Sequence, residues 1–104
     1  MRKLVLLIAL FFSLNSLAQE KIVIHVNARF NQSNDWYGLK AISGARVFSG
    51  YIEDVPELKE KYNITKVPTI ILFYDNKEYK RWEAELDMKV HANVKMVQWD
   101  IDHL

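Results

Sequence analysis

Apolar positions after residue 20 fall into four short segments with strand-type patterns. Residues 21–26 carry β-branched side chains at both alternating sets of positions, which is typical of a strand covered on both faces. Three further segments have strand-like lengths and patterns, namely residues 45–52, 69–74 and 78–86. In the last segment, the alternation places Trp82, Ala84 and Leu86 on one face.

Helical patterns connect these strands and complete the chain. Residues 35–42 predict a first helix, because Ser33, Asn34 and Asp35 are all residue types that cap a helix N-terminus. Asp54 is placed to cap a second helix whose first turn carries Pro56. Apolar side chains then repeat at helical spacing toward the end of the chain, at Val90, Val94, Val97, Ile101 and Leu104.

The predicted order of elements is therefore β-α-β-α-β-β-α. Helical crossovers favour parallel pairing of the first strands, and the turn residues Asp75-Asn76 favour an antiparallel hairpin for the last two. This order predicts a small α/β domain with a mixed four-stranded sheet.

Residues 1–18 predict a signal peptide. Two basic residues at positions 2 and 3 precede an apolar run over residues 4–14, and a small-x-small cleavage pattern ends at Ala18. The run is too short for an ordinary membrane span, although an uncleaved N-terminal anchor is the alternative interpretation. We expect an exported protein, periplasmic or extracellular, with residues 19–104 as one domain that has no membrane attachment after cleavage.

The balance of charges excludes partners that need one dominant sign. Two of the 14 basic side chains lie in the predicted leader, which leaves 12 against 13 acidic ones in the mature domain. A net charge near −1 argues against nucleic-acid binding and against a polybasic membrane role. The chain also contains no cysteine, so it can form no disulfide and has no thiolate for disulfide exchange.

The three histidines show no metal-binding pattern. His25, His91 and His103 are not spaced as pairs of ligands on one helix or strand, and no cysteine accompanies them. We therefore expect no metal and no cofactor. His25 lies in the first predicted strand, where it is best explained as a buried imidazole held by hydrogen bonds.

Aromatic side chains are frequent for so small a domain, and most are expected in its core. An exposed patch of Trp82, Trp99 and Met96 would instead indicate a surface for a protein partner. The core interpretation covers Tyr37, Tyr51, Tyr74, Trp82 and Trp99.

The run from Tyr62 to Thr69, followed by Leu72-Phe73, resembles the Tyr-x-Ile-x-x-Val-Pro-Thr signature of thioredoxins. The strand-to-helix step before it, through Pro56, is also similar. The resemblance covers residues 21–104 and implies a thioredoxin-like fold. It further implies that Pro68 is a cis-proline in a loop that faces the active-site loop.

The loop that carries the reactive cysteines of thioredoxins keeps its spacing here without its chemistry. Residues 28–34 align by spacing with Ala-x-Trp-Cys-x-x-Cys, which places Asn31 and Asn34 at the two cysteine positions. A side-chain amide is neither a nucleophile for a disulfide nor an electron carrier. His25 precedes Asn31 by six residues, where the family often carries a buried aspartate.

We predict that this loop and the Val67-Pro68 segment bind a peptide or protein partner. The resemblance implies that Val67 offers its backbone to an extended segment, a mode of binding that needs no sulfur. One alternative is an oxidoreductase role that borrows a partner's cysteine or a bound thiol, and another is a structural or assembly module. In a simpler interpretation the loop's polar residues only cap a helix. The predicted binding residues are Phe30 and Trp36 as the apolar base, with Asn31, Gln32, Ser33, Asn34, Val67 and Pro68.

Overall fold

The computed structural model describes residues 20–104, so the predicted signal peptide over residues 1–18 lies outside the described residues. No helix within residues 20–104 is both long and apolar enough to cross a membrane. The strands are β1 (Lys21–Asn27), β2 (Arg46–Tyr51), β3 (Thr69–Tyr74) and β4 (Lys77–Glu83). The α-helices are α1 (Glu57–Lys61) and α2 (Val94–Asp102), and two 3₁₀ helices span Arg29–Asn34 and Tyr37–Ala41.

The strands form one mixed sheet in the order β2-β1-β3-β4, which confirms the predicted four-stranded sheet. β1 pairs in parallel with β2 and antiparallel with β3, and β3 pairs antiparallel with β4. The parallel pairing expected from the helical crossovers therefore occurs between β1 and β2 only. The chain leaves α1 into β3, which runs antiparallel to β1.

The two central strands separate two apolar clusters, one on each face of the sheet. Alternate side chains of β1 point to opposite faces, so Ile22, Ile24 and Val26 lie in the cluster that packs against α1. Val23 lies in the opposite cluster, which we call the α2-side core. Burial on both faces explains why β1 is β-branched at both sets of alternating positions. The α2-side core also contains Ile70, Leu72, Val97 and Ile101.

The helix predicted over residues 35–42 is present only as a 3₁₀ helix over Tyr37–Ala41, and another 3₁₀ helix, Arg29–Asn34, precedes it. Asp35 does not cap a helix; its carboxylate accepts hydrogen bonds from Asn27 and Tyr51. The next backbone N–H, that of Trp36, donates to His25. These bonds to β1 and β2 hold residues 35 and 36 in an extended conformation and divide the helical segment in two.

Two other predicted boundaries differ from the structure. β4 ends at Glu83, and Leu86 is fully exposed beyond it rather than sharing a face with Trp82 and Ala84. The last helix begins at Val94 instead of Val90, because the side chain of Asn93 caps it. Its Oδ1 atom accepts a hydrogen bond from the Met96 N–H at 2.9 Å.

The core interpretation of the aromatic residues is wrong at two positions. Tyr37 and Trp99 are largely exposed, and the Trp99 indole stacks on the His103 ring with 3.9 Å between ring centroids. Trp82 is partly buried against the α2-side core, as expected. Aromatic content alone did not distinguish these environments.

Candidate functional site

The structure brings the two halves of the predicted site together. The loop after β1 and the segment before β3 lie side by side because β1 and β3 are neighbours in the sheet, with Val26 opposite Thr69. The Val67-Pro68 peptide bond is cis. The Asn31 side-chain amide donates to the Val67 carbonyl oxygen at 3.3 Å, which joins the two segments directly.

Asn31 is the centre of a hydrogen-bonded cluster rather than a group open to a ligand. Its side chain is buried, with a residue exposure of 4%. The amide nitrogen lies within hydrogen-bonding distance of Asn27 Oδ1 at 3.2 Å and of the Val67 and Met88 carbonyl oxygens at 3.3 and 3.0 Å. Its Oδ1 atom accepts from Asn34 at 2.7 Å. We call this set of contacts the Asn31 cluster; it connects the end of β1, the Val67 segment and the chain at Met88.

A second layer of polar contacts supports the loop from below. The Asn27 amide donates to the Asn31 carbonyl oxygen at 2.9 Å and to Asp35 Oδ1 at 2.7 Å. The Tyr51 hydroxyl donates to the other carboxylate oxygen of Asp35 at 2.6 Å. This hydrogen bond, which is lost on ionisation of the phenol, raises the pKa of Tyr51 to about 12. Asp35 thereby ties the loop to both β1 and β2.

The buried imidazole predicted at His25 is confirmed. Its ring is almost fully buried, Nδ1 lies 2.9 Å from Ser49 Oγ, and the Trp36 N–H donates to Nε2 at 3.2 Å. Burial lowers the pKa of His25 below its ordinary value, and the nearby Asp35 carboxylate opposes this only in part. Since Nε2 accepts a hydrogen bond, the neutral ring carries its proton on Nδ1 and donates it to Ser49.

The arrangement of Ser49, His25 and Asp35 resembles a hydrolase triad in composition, but its hydrogen bonds run the wrong way. A catalytic histidine must accept the serine proton, whereas Nδ1 of His25 already carries a proton and donates it to Ser49. This cluster is therefore structural. Within residues 20–104, no group of three or more acidic or histidine side chains is placed to hold a metal ion.

An open cleft lies beside Val67. It encloses about 1090 Å³ between Phe30 and the segment that follows β4. We call it the Phe30 cleft, because the Phe30 side chain is 74% exposed there. Its apolar lining is Phe30, Val67, Ala84, Leu86 and Met88, and its polar lining is Thr65, Lys66, Glu83, Glu85, Asp87 and His91.

The remaining predicted site residues do not line this cleft. Gln32 and Ser33 are exposed on the loop, Asn34 is half-buried, and Pro68 is fully buried. The prediction that Trp36 forms the apolar base with Phe30 is wrong. Its indole packs in the α2-side core and donates to the Ala92 carbonyl oxygen at 2.8 Å, because residues 35 and 36 turn toward β1 and β2.

Sequence reasoning missed the segment from Ala84 to His91, which forms one side of the cleft. The strand-type alternation of Trp82, Ala84 and Leu86 favoured a longer β4, although the strand ends at Glu83. Acidic residues alternate with apolar ones beyond this point, and that alternation was the available signal.

Solved structures with the same fold include thioredoxins and a peroxiredoxin. A mutant thioredoxin from Halobacterium salinarum has a TM-score of 0.63 at 14% identity, over 82% of this chain and 74% of that one. Thioredoxin-2, a component of malaria parasite protein secretion machinery, has a TM-score of 0.60 at 18% identity, over 83% and 84%. Mitochondrial thioredoxin 3 from Saccharomyces cerevisiae has a TM-score of 0.58 at 18% identity, over 93% and 90%.

These likenesses show the fold and nothing of the activity. No family model matches the sequence, and no curated protein matches it. The chain has a thioredoxin-like fold in which no cysteine is present, as the sequence resemblance predicted. What it does must be argued from its own residues.

Proposed function

We propose that this chain is an exported, redox-inactive thioredoxin-like domain that binds an extended peptide segment of a partner protein in the Phe30 cleft. The observation that carries the proposal is the open cleft beside Val67, which is lined by the exposed large apolar side chains of Phe30 and Leu86. Concave apolar surfaces with a few polar groups are typical of binding sites. Exposed apolar patches of this kind mark partner contacts.

The Val67 backbone supports binding of a ligand through its N–H group only. Its carbonyl oxygen accepts from Asn31, whereas its N–H has no hydrogen-bond partner within residues 20–104. Val67 lines the cleft, so one main-chain donor remains for a carbonyl group of a ligand. The resemblance implied that Val67 offers its backbone to an extended segment, and the proposed mode uses its N–H alone.

The expected affinity follows from the small apolar area available. Burying each of two large side chains contributes about 1.5–3 kcal/mol, and one hydrogen bond adds about 1 kcal/mol. The entropic cost of association removes a large part of this sum. We therefore expect weak binding, with a dissociation constant on the order of 1 mM for a short peptide.

A labelled nine-residue peptide tests the proposal, with one leucine at its centre in an alanine and serine background. Fluorescence anisotropy should give saturable binding that Phe30→Ala and Leu86→Ala each weaken by about 10-fold. Tyr37→Ala is the matched control, because Tyr37 is an equally exposed aromatic residue that does not line the cleft. An equal loss of affinity in all three variants would argue against the cleft as the binding site.

The redox-inactive part of the proposal has its own assay. Without sulfur, the purified chain should not accelerate the reduction of insulin by dithiothreitol above the uncatalysed rate. Catalysis by the chain alone would refute this part. Catalysis only after a glutathione or partner thiol is added would favour the oxidoreductase alternative.

Export rests on the leader pattern of residues 1–18 and is tested by the mature N-terminus. Expression of the full chain in a bacterial host should give an exported protein that starts at Gln19, as measured by intact mass. Recovery of the uncleaved chain from the membrane fraction would instead favour the N-terminal anchor.

A further inference from the structure

We propose that the Phe30 cleft selects peptides in which an apolar residue lies next to lysine or arginine. This inference rests on the proposed function, because it names the ligand class of the same site. The observation behind it is the segment from Glu83 to Met88, whose acidic and apolar side chains line the cleft together.

The alternation along this segment presents two chemistries to one ligand. Glu83, Glu85 and Asp87 are separated by single apolar residues, and all three carboxylate-bearing residues line the cleft. The intervening apolar residues, Ala84, Leu86 and Met88, line it as well. A ligand that buries an apolar side chain between Phe30 and Leu86 therefore places its adjacent residues within reach of the carboxylates.

The nearby cations leave this acidic character largely intact. Arg81 binds Glu78 through two hydrogen bonds of 2.7 Å. Its contact with Glu83 is longer, with 3.8 Å between Arg81 Nη1 and Glu83 Oε2. Within residues 20–104, the Glu85 carboxylate is in no ion pair.

Asp87 is the one cleft carboxylate with a close histidine partner. Its Oδ2 atom lies 2.7 Å from His91 Nε2, and its other oxygen accepts from the Lys89 N–H. The cleft lining therefore contains three carboxylates and one lysine or arginine, Lys66.

Charge complementarity sets the expected preference. Each exposed ion pair contributes little to the binding free energy. A peptide with two cationic residues is nevertheless attracted to the cleft carboxylates, whereas a peptide with two acidic residues is repelled by them. We expect the basic peptide to bind about 10-fold more tightly than the acidic one at low ionic strength. The ratio should fall toward one in high salt, because exposed charges are then screened.

The test compares three labelled nine-residue peptides that share a central leucine. Its two flanking residues are lysine in the first, serine in the second and glutamate in the third. Anisotropy titrations in about 20 mM and about 500 mM salt should rank them lysine, serine, glutamate in low salt and bring them together in high salt.

Charge reversal in the protein supplies the matched pair of variants. Glu85→Lys should remove or invert the ranking of the lysine and glutamate peptides. Glu60→Lys, at an exposed position on α1 outside the cleft, should keep the ranking unchanged. Both substitutions change the net charge by the same amount, so a general charge effect would move both variants alike and would contradict the inference.

The outcomes separate the inference from the proposed function. Equal affinity for all three peptides, still weakened by Phe30→Ala, would overturn the charge preference and leave peptide binding in place. Tighter binding of the glutamate peptide would also overturn it. No binding of any peptide at millimolar concentration would refute the proposed function, and the inference with it.

Discussion

Phe30 and Asn31 are adjacent in the chain and have opposite roles in the structure. The Phe30 side chain is largely exposed and lines an open cleft, whereas Asn31 is buried and bonded to three separate segments. By its spacing in the sequence, Asn31 aligns with a reactive cysteine of thioredoxins. The comparison teaches that the residue aligned with the reactive position makes structural contacts, whereas its neighbour in the chain is exposed in the cleft.

The local backbone conformation explains why the adjacent residues Phe30 and Asn31 differ in exposure. Asn31 has φ −108° and ψ 20°, values that interrupt the first 3₁₀ helix. Its amide then points inward to the Val67 and Met88 carbonyl groups. A side-chain amide suits this geometry, because it donates and accepts hydrogen bonds at the same time.

The largest expected effect tests directly the difference between the roles of Asn31 and Phe30. Asn31→Ala should lower the free energy of unfolding by about 2–4 kcal/mol, because it leaves the Met88 and Val67 carbonyl groups and the Asn34 amide without this partner. Phe30→Ala should change it by less than about 0.5 kcal/mol. Urea unfolding of both variants measures the difference, and equal losses would contradict the assignment of separate roles.

A smaller effect tests the layer beneath the Asn31 cluster. Tyr51→Phe removes the hydroxyl that donates to Asp35 at 2.6 Å, and should cost about 1–2 kcal/mol. Tyr62→Phe is the matched control, since the Tyr62 hydroxyl makes no hydrogen bond within residues 20–104. Its stability should stay within about 0.5 kcal/mol of the parent or rise. A larger loss for Tyr62→Phe than for Tyr51→Phe would show that the Asp35 contact is unimportant.

The smallest effect is a dependence of stability on pH that His25 introduces. Burial places the folded-state pKa of His25 below its ordinary value near 6.5, so the unfolded chain binds more protons between those two values. The free energy of unfolding should therefore fall as the pH falls from about 7 through this window, by at most about 1.4 kcal/mol per pH unit. His25→Gln should flatten this slope in urea unfolding at pH 7.5 to 5.

The exposed His91 provides the control for that slope. His91→Gln should retain the fall in stability between pH 7 and pH 5, because His25 is still present and still buried. If the slope disappears in His91→Gln and persists in His25→Gln, the buried imidazole is not its source.

The fold could be predicted from the sequence because its signals are local. The run from Tyr62 to Phe73 and the period-2 and period-3.6 patterns each lie within one segment. The proximity of Asn31 to Val67 could also be predicted, because the spacing of both residues matches the thioredoxin pattern, in which the two loops face each other. The inward direction of the Asn31 amide did not, since one of its acceptors lies 57 residues away at Met88.

The errors share a physical cause, which is competition from distant hydrogen bonds. Helix capping by Asp35 was a sound local expectation, but Asn27 and Tyr51 bind its carboxylate from two strands. Because Asp35 is held by these strands, the adjacent Trp36 packs against the α2-side core. Leu86 was predicted to lie in β4 because it continues the alternation of apolar residues, but the strand ends at Glu83.

One NMR titration tests the division between the Asn31 cluster and the Phe30 cleft most directly. When the serine-flanked leucine peptide is added to ¹⁵N-labelled protein, we expect the backbone amide signals of Phe30, Val67 and Leu86 to shift. The side-chain NH₂ signals of Asn31 should shift little and remain protected from hydrogen exchange, because that amide is buried and bonded. Rapid exchange of the Asn31 amide, or its displacement by the peptide while the Phe30 signal stays still, would contradict the account.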